Sequence, residues 1–200
     1  MSFLSKNDEL SGYRPDTWVF WRNLAVYFCA FSVIGHWLEI VYCSFMSLFG
    51  IVDADSLVWD DPMYPFLVYG VGTAIASLLL VPLKQALINR RKTLLGAALL
   101  FFLMTIVLCM LMELAMGLLL NQPDSMGEYP LWDNSDLPLN IFSQAWLVND
   151  IFLSILAMLY VWIIYPVCEK YLKKLPTALM NVLSILMVVC FVVLCTLKFS

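Results

Sequence analysis

The sequence predicts an all-α integral membrane protein, built as a bundle of five transmembrane helices. Hydrophobic residues make up 62% of the 200 residues, and charged residues only 13%. A soluble domain of this size has too little interior to bury so much apolar surface. In addition, five stretches reach the length of about 20 residues that crosses the hydrocarbon core. We expect these spans, in a single membrane domain, near residues 24–49, 63–83, 94–120, 146–166 and 177–197.

The distribution of basic residues predicts the orientation of the chain. Ten of the eleven Lys and Arg residues precede span 1 or lie between spans 2 and 3 or between spans 4 and 5. The connections 50–62 and 121–145 contain no Lys or Arg, and together they carry eight acidic residues. By the positive-inside rule, we expect a cytoplasmic N-terminus and a C-terminus outside.

Span 1 contains the first unusual polar residues. Glu39 lies in a stretch that is otherwise apolar, where a carboxylate costs about 2.5–3.5 kcal/mol. His36 lies three residues earlier, so the two side chains share a helix face and can form a hydrogen bond. Gly35, one turn before Glu39, lets another helix approach closely. The pattern indicates a functional site in the outer half of this span.

Spans 2, 3 and 4 add polar groups at a similar predicted depth. Tyr69 lies in the outer part of span 2, and Asp150 lies one turn inside span 4. Glu113 lies about 10 Å below the outer end of span 3, from the helix rise of 1.5 Å per residue. We therefore expect an acidic pocket that opens outward, with Glu39, Glu113, Asp150, His36 and Tyr69 as candidate solute contacts.

Simpler structural roles for these residues stay open. A buried acid can be protonated and serve only as a hydrogen-bond donor between helices. Asp150 can cap the start of span 4, where a negative charge suits a helix N-terminus. His36 can be a packing residue.

The connection 121–145 is long for a compact bundle, and connections of this length are often functional. Its Trp-Asp-x-Ser sequence, which contains Asp133, predicts an Asx-type turn. Pro138 holds the chain extended before Asn140, from which the chain returns into the membrane. We expect a structural lid or a wall of the pocket, with Asp133 and Asn140 as further candidate solute contacts.

The basic connections are short, and they suit contact with anionic lipid or docking of a cytosolic protein. The candidate docking residues are Arg90, Arg91, Lys92, Lys173 and Lys174. The chain contains no GxxxxGK[ST] motif, so we expect no nucleotide hydrolysis through a P-loop of its own. Six scattered cysteines and one histidine predict no metal site and no cofactor. The acidic balance argues against nucleic acid as a partner.

Five short motifs occur in an order that resembles a known family. They are Gly35-x-x-x-Glu39, Pro65 with Tyr69-Gly70-x-Gly72, Glu113-x-x-x-Gly117, Trp132-Asp133-Asn134-Ser135 and Pro138-Leu139-Asn140-Ile141. They resemble the ABC-transporter permeases called type IV, or CmpB-like, and more distantly the transmembrane protein 229 group. The resemblance extends over about residues 30–166. The family pattern usually has Tyr where this chain has Asn134, and a glycine and a basic residue where it has Ser143 and Gln144.

The resemblance implies a membrane subunit of a transport system in a bacterial cytoplasmic membrane. A separate cytosolic ATPase would supply the energy. Alternatively, the acids bind protons, and the chain is a secondary carrier that forms a homo-oligomer. Two other classes stay open. One is a scaffold protein whose acids hold helices together. The other is an intramembrane enzyme for a lipid-like substrate, with His36 and Glu39 as acid and base, although no nucleophile pair is evident.

Overall fold

The computed structural model describes residues 13–51 and 61–200. Within them, five helices are long and apolar enough to cross a membrane, which confirms the predicted fold class. They are α1 (Trp18–Ser47), α2 (Leu67–Arg90), α3 (Leu94–Leu120), α4 (Leu147–Leu172) and α5 (Thr177–Phe199). A short antiparallel pair of strands, β1 (Asn140–Ile141) and β2 (Ala145–Trp146), lies between α3 and α4.

Helix α3 coincides with the predicted third span, whereas α1, α2 and α4 are longer than predicted. Helix α1 begins at Trp18 because the hydroxyl of Thr17 accepts a hydrogen bond from the Phe20 N–H, as an N-cap does. Helices α2 and α4 continue through polar residues past the predicted ends. Arg22 lies inside α1 because that helix begins earlier than predicted, and Lys84 lies inside α2. The sequence analysis assigned both residues to connections, whereas the structure buries both. That assignment was wrong. The charged ends of both side chains form hydrogen bonds, which makes their burial within the helices possible.

A π-helical turn precedes a proline in two of the helices. One turn spans Ala76–Leu80, before Pro82, and the other spans Tyr160–Ile164, before Pro166. Proline has no N–H, so the carbonyl four residues earlier loses its helical partner and the helix widens locally. In α2 this carbonyl belongs to Leu78, and the hydroxyl of Tyr13 donates to it at 2.9 Å.

The chain forms two compact units. Unit 1 consists of the described residues up to Leu79 together with Pro166–Ser200, and unit 2 of Leu80–Tyr165. In unit 1, α1 packs against the first part of α2 and against α5. In unit 2, α3 packs against the first part of α4 and the last part of α2. Each unit holds one of the two acidic groups that the sequence singled out.

The connection between α3 and α4 is held together by hydrogen bonds to the backbone. The Nδ2 of Asn121 donates to the Trp132 carbonyl at 2.7 Å, and the indole of Trp132 donates to the Gln144 carbonyl at 2.8 Å. The carboxylate of Asp133 accepts from the Ser135 N–H at 2.8 Å, which confirms the predicted Asx turn. These bonds give residues 121–146, hereafter the α3–α4 loop, a defined shape with little apolar packing.

Ser143 lies in the left-handed region of backbone conformation, with φ of 58°. Glycine alone adopts this conformation without steric cost. We therefore expect Ser143→Gly to raise the free energy of unfolding by about 0.5–1 kcal/mol. Thermal unfolding in detergent would measure the change. Ser135→Gly, in the same loop but without positive φ, should lower stability instead. Equal responses of the two serines would contradict the assignment.

Candidate functional site

In unit 2, the carboxylate of Glu113 is held from the start of α4. Its Oε1 accepts from Nδ2 of Asn149 at 2.7 Å, and its Oε2 accepts from the backbone N–H of Trp146 at 3.1 Å. Trp146 is the residue that precedes the first turn of α4, where N–H groups are free and negative charge is favourable. Glu113 therefore has a fixed position, and both of these donors are neutral.

Asp150 lies beside Glu113 and is fully buried. The two carboxyl groups are close enough to interact electrostatically. Apart from this neighbouring carboxyl group, neither oxygen of Asp150 has a hydrogen-bond partner among the described residues. Asp150 lies in the first turn of α4, as the proposed capping role requires, although its carboxyl group accepts no hydrogen bond from the N–H groups of that turn. A buried polar group left unpaired costs about 1–3 kcal/mol, so its presence requires an explanation.

Gln144 of the α3–α4 loop packs against the helix of Glu113. Gln144 is buried, and a Cβ added to Gly117 would collide with its side chain. Gly117 lies one turn from Glu113, and the Oε1 of Gln144 accepts a hydrogen bond from Asn121 at 3.0 Å. None of the ion pairs in the described part of the chain involves Glu113 or Asp150.

In unit 1, His36 and Glu39 form the hydrogen bond that their spacing predicted. The imidazole is fully buried, with Nδ1 at 3.3 Å from Oε2 of Glu39 and Nε2 at 3.2 Å from the carbonyl oxygen of Asp61. The hydroxyl of Tyr69 also donates to the Glu39 carboxylate. Tyr69 packs on Gly35, where an added Cβ would overlap its Cβ and Cγ. The close approach predicted for this glycine is therefore confirmed, with a tyrosine side chain as the neighbour.

The carboxylate of Asp61 pairs with Lys198 of α5, with 2.6 Å between Oδ2 and Nζ. The hydrogen bond from this ammonium group holds the pKa of Asp61 below its ordinary value. We call His36, Glu39, Tyr69 and Asp61 the His36 cluster. We call Glu113, Asn149, Asp150 and the Trp146 N–H the Glu113 cluster.

The other predicted site residues lie at surfaces or within the α3–α4 loop. Nδ2 of Asn140 donates to the carbonyls of Ser135 and Leu137, and its Oδ1 accepts from the Ser143 N–H. Asn140 and Asp133 thus organise the loop, and their contact with a solute stays a prediction. The candidate docking residues are exposed. Arg90, Arg91 and Lys92 belong to unit 2, and Lys173 and Lys174 belong to unit 1.

A buried polar network at the start of α1 escaped the sequence analysis. The guanidinium of Arg22 donates to Asn23 and, at 2.9 Å, to Asn181 of α5. The carboxylate of Glu169 accepts from Asn23 at 3.1 Å and from the hydroxyl of Tyr27 at 2.7 Å. Since Arg22 and Glu169 lie near the ends of apolar stretches, hydropathy around them did not indicate that they are buried. The spacing of Asn23 and Tyr27, one turn apart on one face, is the signal that was available.

A cavity of about 390 Å³ lies between α1 and α5 in unit 1. Its lining is almost wholly apolar and includes Cys29, Met187 and Cys190. None of the candidate acids lines it. The cavity therefore does not correspond to the acidic pocket that the sequence predicted.

Five helices of spanning length, with carboxyl groups buried between them, define a multi-pass membrane protein. Residues 26–199 match the family described as Putative ABC-transporter type IV. The chain belongs to this family, as the resemblance of its motifs predicted. No curated protein and no solved structure is detectably similar to it. The family makes this a transport-related membrane protein and indicates association with other transport subunits.

Proposed function

We propose that this chain is the membrane subunit of a transport system and that it binds a small cationic solute at the Glu113 cluster. The observation that carries the proposal is the carboxyl group of Asp150, which is fully buried and has no hydrogen-bond partner among the described residues apart from the neighbouring Glu113 carboxyl group. It lies beside a second carboxylate, and no cation of the described chain pairs with either group. A bound cation would supply both the missing charge and the missing donors.

The geometry of the cluster suits a ligand with several N–H groups. Glu113 is positioned in advance by Asn149 and the Trp146 N–H, so it needs little rearrangement on binding. An ammonium or guanidinium group would donate to the oxygens of Asp150 and balance the charge of both acids. An apolar solute would leave the same oxygens unpaired. The class of solute is therefore an organic or inorganic cation.

The α3–α4 loop is the natural gate for such a solute. It contributes the Trp146 N–H to Glu113 and packs Gln144 against Gly117. The solute would enter from the side predicted to be outside, and the loop would have to move as it enters. The exposed basic residues 90–92 of unit 2 and, separately, 173 and 174 of unit 1 are candidate docking residues for a separate ATPase. A homo-oligomeric carrier driven by protons is the alternative source of energy.

Thermal unfolding of the purified protein in nanodiscs tests the proposal. We expect one or more of ammonium, arginine, spermidine, sodium and potassium to raise the melting temperature. Saturation at about 100 times Kd adds about 2.7 kcal/mol to the free energy of unfolding. Glu113→Gln should remove this response, because the amide keeps the size of the side chain and loses its charge.

The control variant is Glu128→Gln, which makes the same chemical change at an exposed position of the α3–α4 loop. It should respond to the cation as the unmodified protein does. The proposal fails if no cation in the panel stabilises the protein. It also fails if Glu113→Gln retains the full response.

A further inference from the structure

We propose that His36 and Glu39 form a proton-binding site in unit 1, in which one hydrogen ion bridges Nδ1 of the imidazole and Oε2 of the carboxyl group. The ligand is a hydrogen ion, and the residues belong to the His36 cluster alone. The inference goes beyond the proposed cation site in unit 2, and each can be correct without the other.

The partner of Nε2 determines one proton of the imidazole. This nitrogen lies 3.2 Å from the carbonyl oxygen of Asp61. A carbonyl oxygen only accepts hydrogen bonds, so Nε2 must carry a hydrogen. Because the imidazole is fully buried, water cannot replace this partner. The tautomer with a hydrogen on Nδ1 alone is therefore excluded.

The partner of Nδ1 then requires a second proton. This nitrogen lies 3.3 Å from Oε2 of Glu39. In a neutral imidazole whose Nε2 carries the hydrogen, Nδ1 is an acceptor, and a carboxylate oxygen is also an acceptor. The contact is attractive only if one hydrogen lies between them. It belongs either to an imidazolium beside a carboxylate or to a neutral imidazole beside a carboxylic acid, and the pair is neutral overall in both cases.

The neighbouring groups do not neutralise the negative charge of Glu39, so the bridging proton is the charge that balances it. Asp61 is paired with Lys198, and Tyr69 is a neutral donor to the carboxylate. Among the described residues, the other titratable groups that face the pair are the phenol of Tyr64 and the thiol of Cys43. Loss of the bridging proton would leave one negative charge and two facing acceptors. Glu39 would then turn away or bind another proton.

The proton can be exchanged through Glu39. The side chain of Glu39 is 20% exposed, whereas that of His36 is fully buried. The bridging proton therefore exchanges through the exposed part of the Glu39 carboxyl group. Nε2 keeps its bond to the Asp61 carbonyl in both states, so the imidazole stays in place while the carboxyl group moves.

The chain contains a single histidine, which permits a direct experiment. Protein labelled with ¹⁵N-histidine gives one pair of ring nitrogen signals, followed by NMR in nanodiscs as the pH is changed. We expect Nε2 to carry a hydrogen throughout, and Nδ1 to lose its shared hydrogen in one step as the pH rises. In Glu39→Gln this step should move to lower pH by at least one unit, a tenfold loss of proton affinity, because no carboxylate remains. Glu128→Gln should leave the signals unchanged.

Two results would overturn the inference: an Nε2 that carries no hydrogen, or a step that does not move in Glu39→Gln. Tyr69→Phe provides a second variant if Glu39→Gln does not fold. It keeps the packing on Gly35 and removes one donor to the carboxylate, so the step should move to higher pH. Failure of these NMR expectations would leave the cation site in unit 2 untouched, since that test measures a different response.

Discussion

Asp150→Asn is expected to raise the stability of the protein without ligand and, at the same time, to abolish its response to cations. The carboxyl group of Asp150 is buried beside Glu113 without any other hydrogen-bond partner among the described residues. An amide of the same size removes one acidic group from the pair and offers an N–H to Glu113. Because an unpaired buried polar group costs about 1–3 kcal/mol, we expect a gain of about 1–2 kcal/mol.

Thermal unfolding in nanodiscs, with and without the stabilising cation, measures both effects. For a chain of this size, 1 kcal/mol corresponds to a change of about 2–4 °C in Tm. Asp136→Asn is the matched control, because it makes the same change at an exposed position of the α3–α4 loop. If Asp150 only held helices together, its replacement by Asn should lower the stability instead. Loss of stability in Asp150→Asn would therefore favour the structural role over the binding site.

Gly70→Ala is expected to cause a large loss of stability in unit 1. A Cβ at Gly70 would overlap Oγ of Ser32 and approach the ring of Phe28, both in α1. The hydroxyl of Ser32 is held by the Phe28 carbonyl at 2.8 Å, so it has little freedom to move away. The two helices would have to separate, and we expect a cost of about 1–3 kcal/mol from the added methyl group.

Gly72→Ala provides the control within the same helix. A Cβ at Gly72 meets nothing within 4 Å, so the change adds only the helix preference of alanine, about 1 kcal/mol. We therefore expect a neutral or stabilising effect at Gly72, against a destabilising one at Gly70. Unfolding of both variants in the same detergent gives the difference directly. Similar stabilities for the two variants would show that α1 and α2 do not approach each other so closely at Gly70.

The sequence predicted the candidate acids but not the hydrogen-bond partners of each carboxyl group. The spacing of His36 and Glu39 within one helix was sufficient to predict their hydrogen bond, because i and i+3 share a face. The partner of Nε2 was not predictable, since the Asp61 carbonyl is 25 residues away. For the same reason the sequence could not distinguish Glu113, which accepts from two N–H donors, from Asp150, which accepts from none in the described part of the chain.

Polar residues near the ends of the spans were the weakest part of the prediction. Arg22 and Lys84 were assigned to connections because a charge usually marks the end of an apolar stretch. The structure buries both, with Arg22 bonded to Asn181 and Nζ of Lys84 facing the Val161 carbonyl at 3.4 Å and the ring of Trp162 at 5.5 Å. Long side chains keep their charge hydrogen-bonded even within a helix. Composition alone contains no information about such partners.

The sequence by itself determined the membrane class, the five spans and the family. These follow from the length and apolarity of local stretches and from short motifs, because in lipid a helix must satisfy its own backbone hydrogen bonds. Only the tertiary structure decided which polar groups meet. It placed Gln144 against Gly117, joined His36 to the Asp61 carbonyl and left Asp150 without a partner other than Glu113 among the described residues. Such contacts depend on the packing of distant segments, which no local pattern encodes.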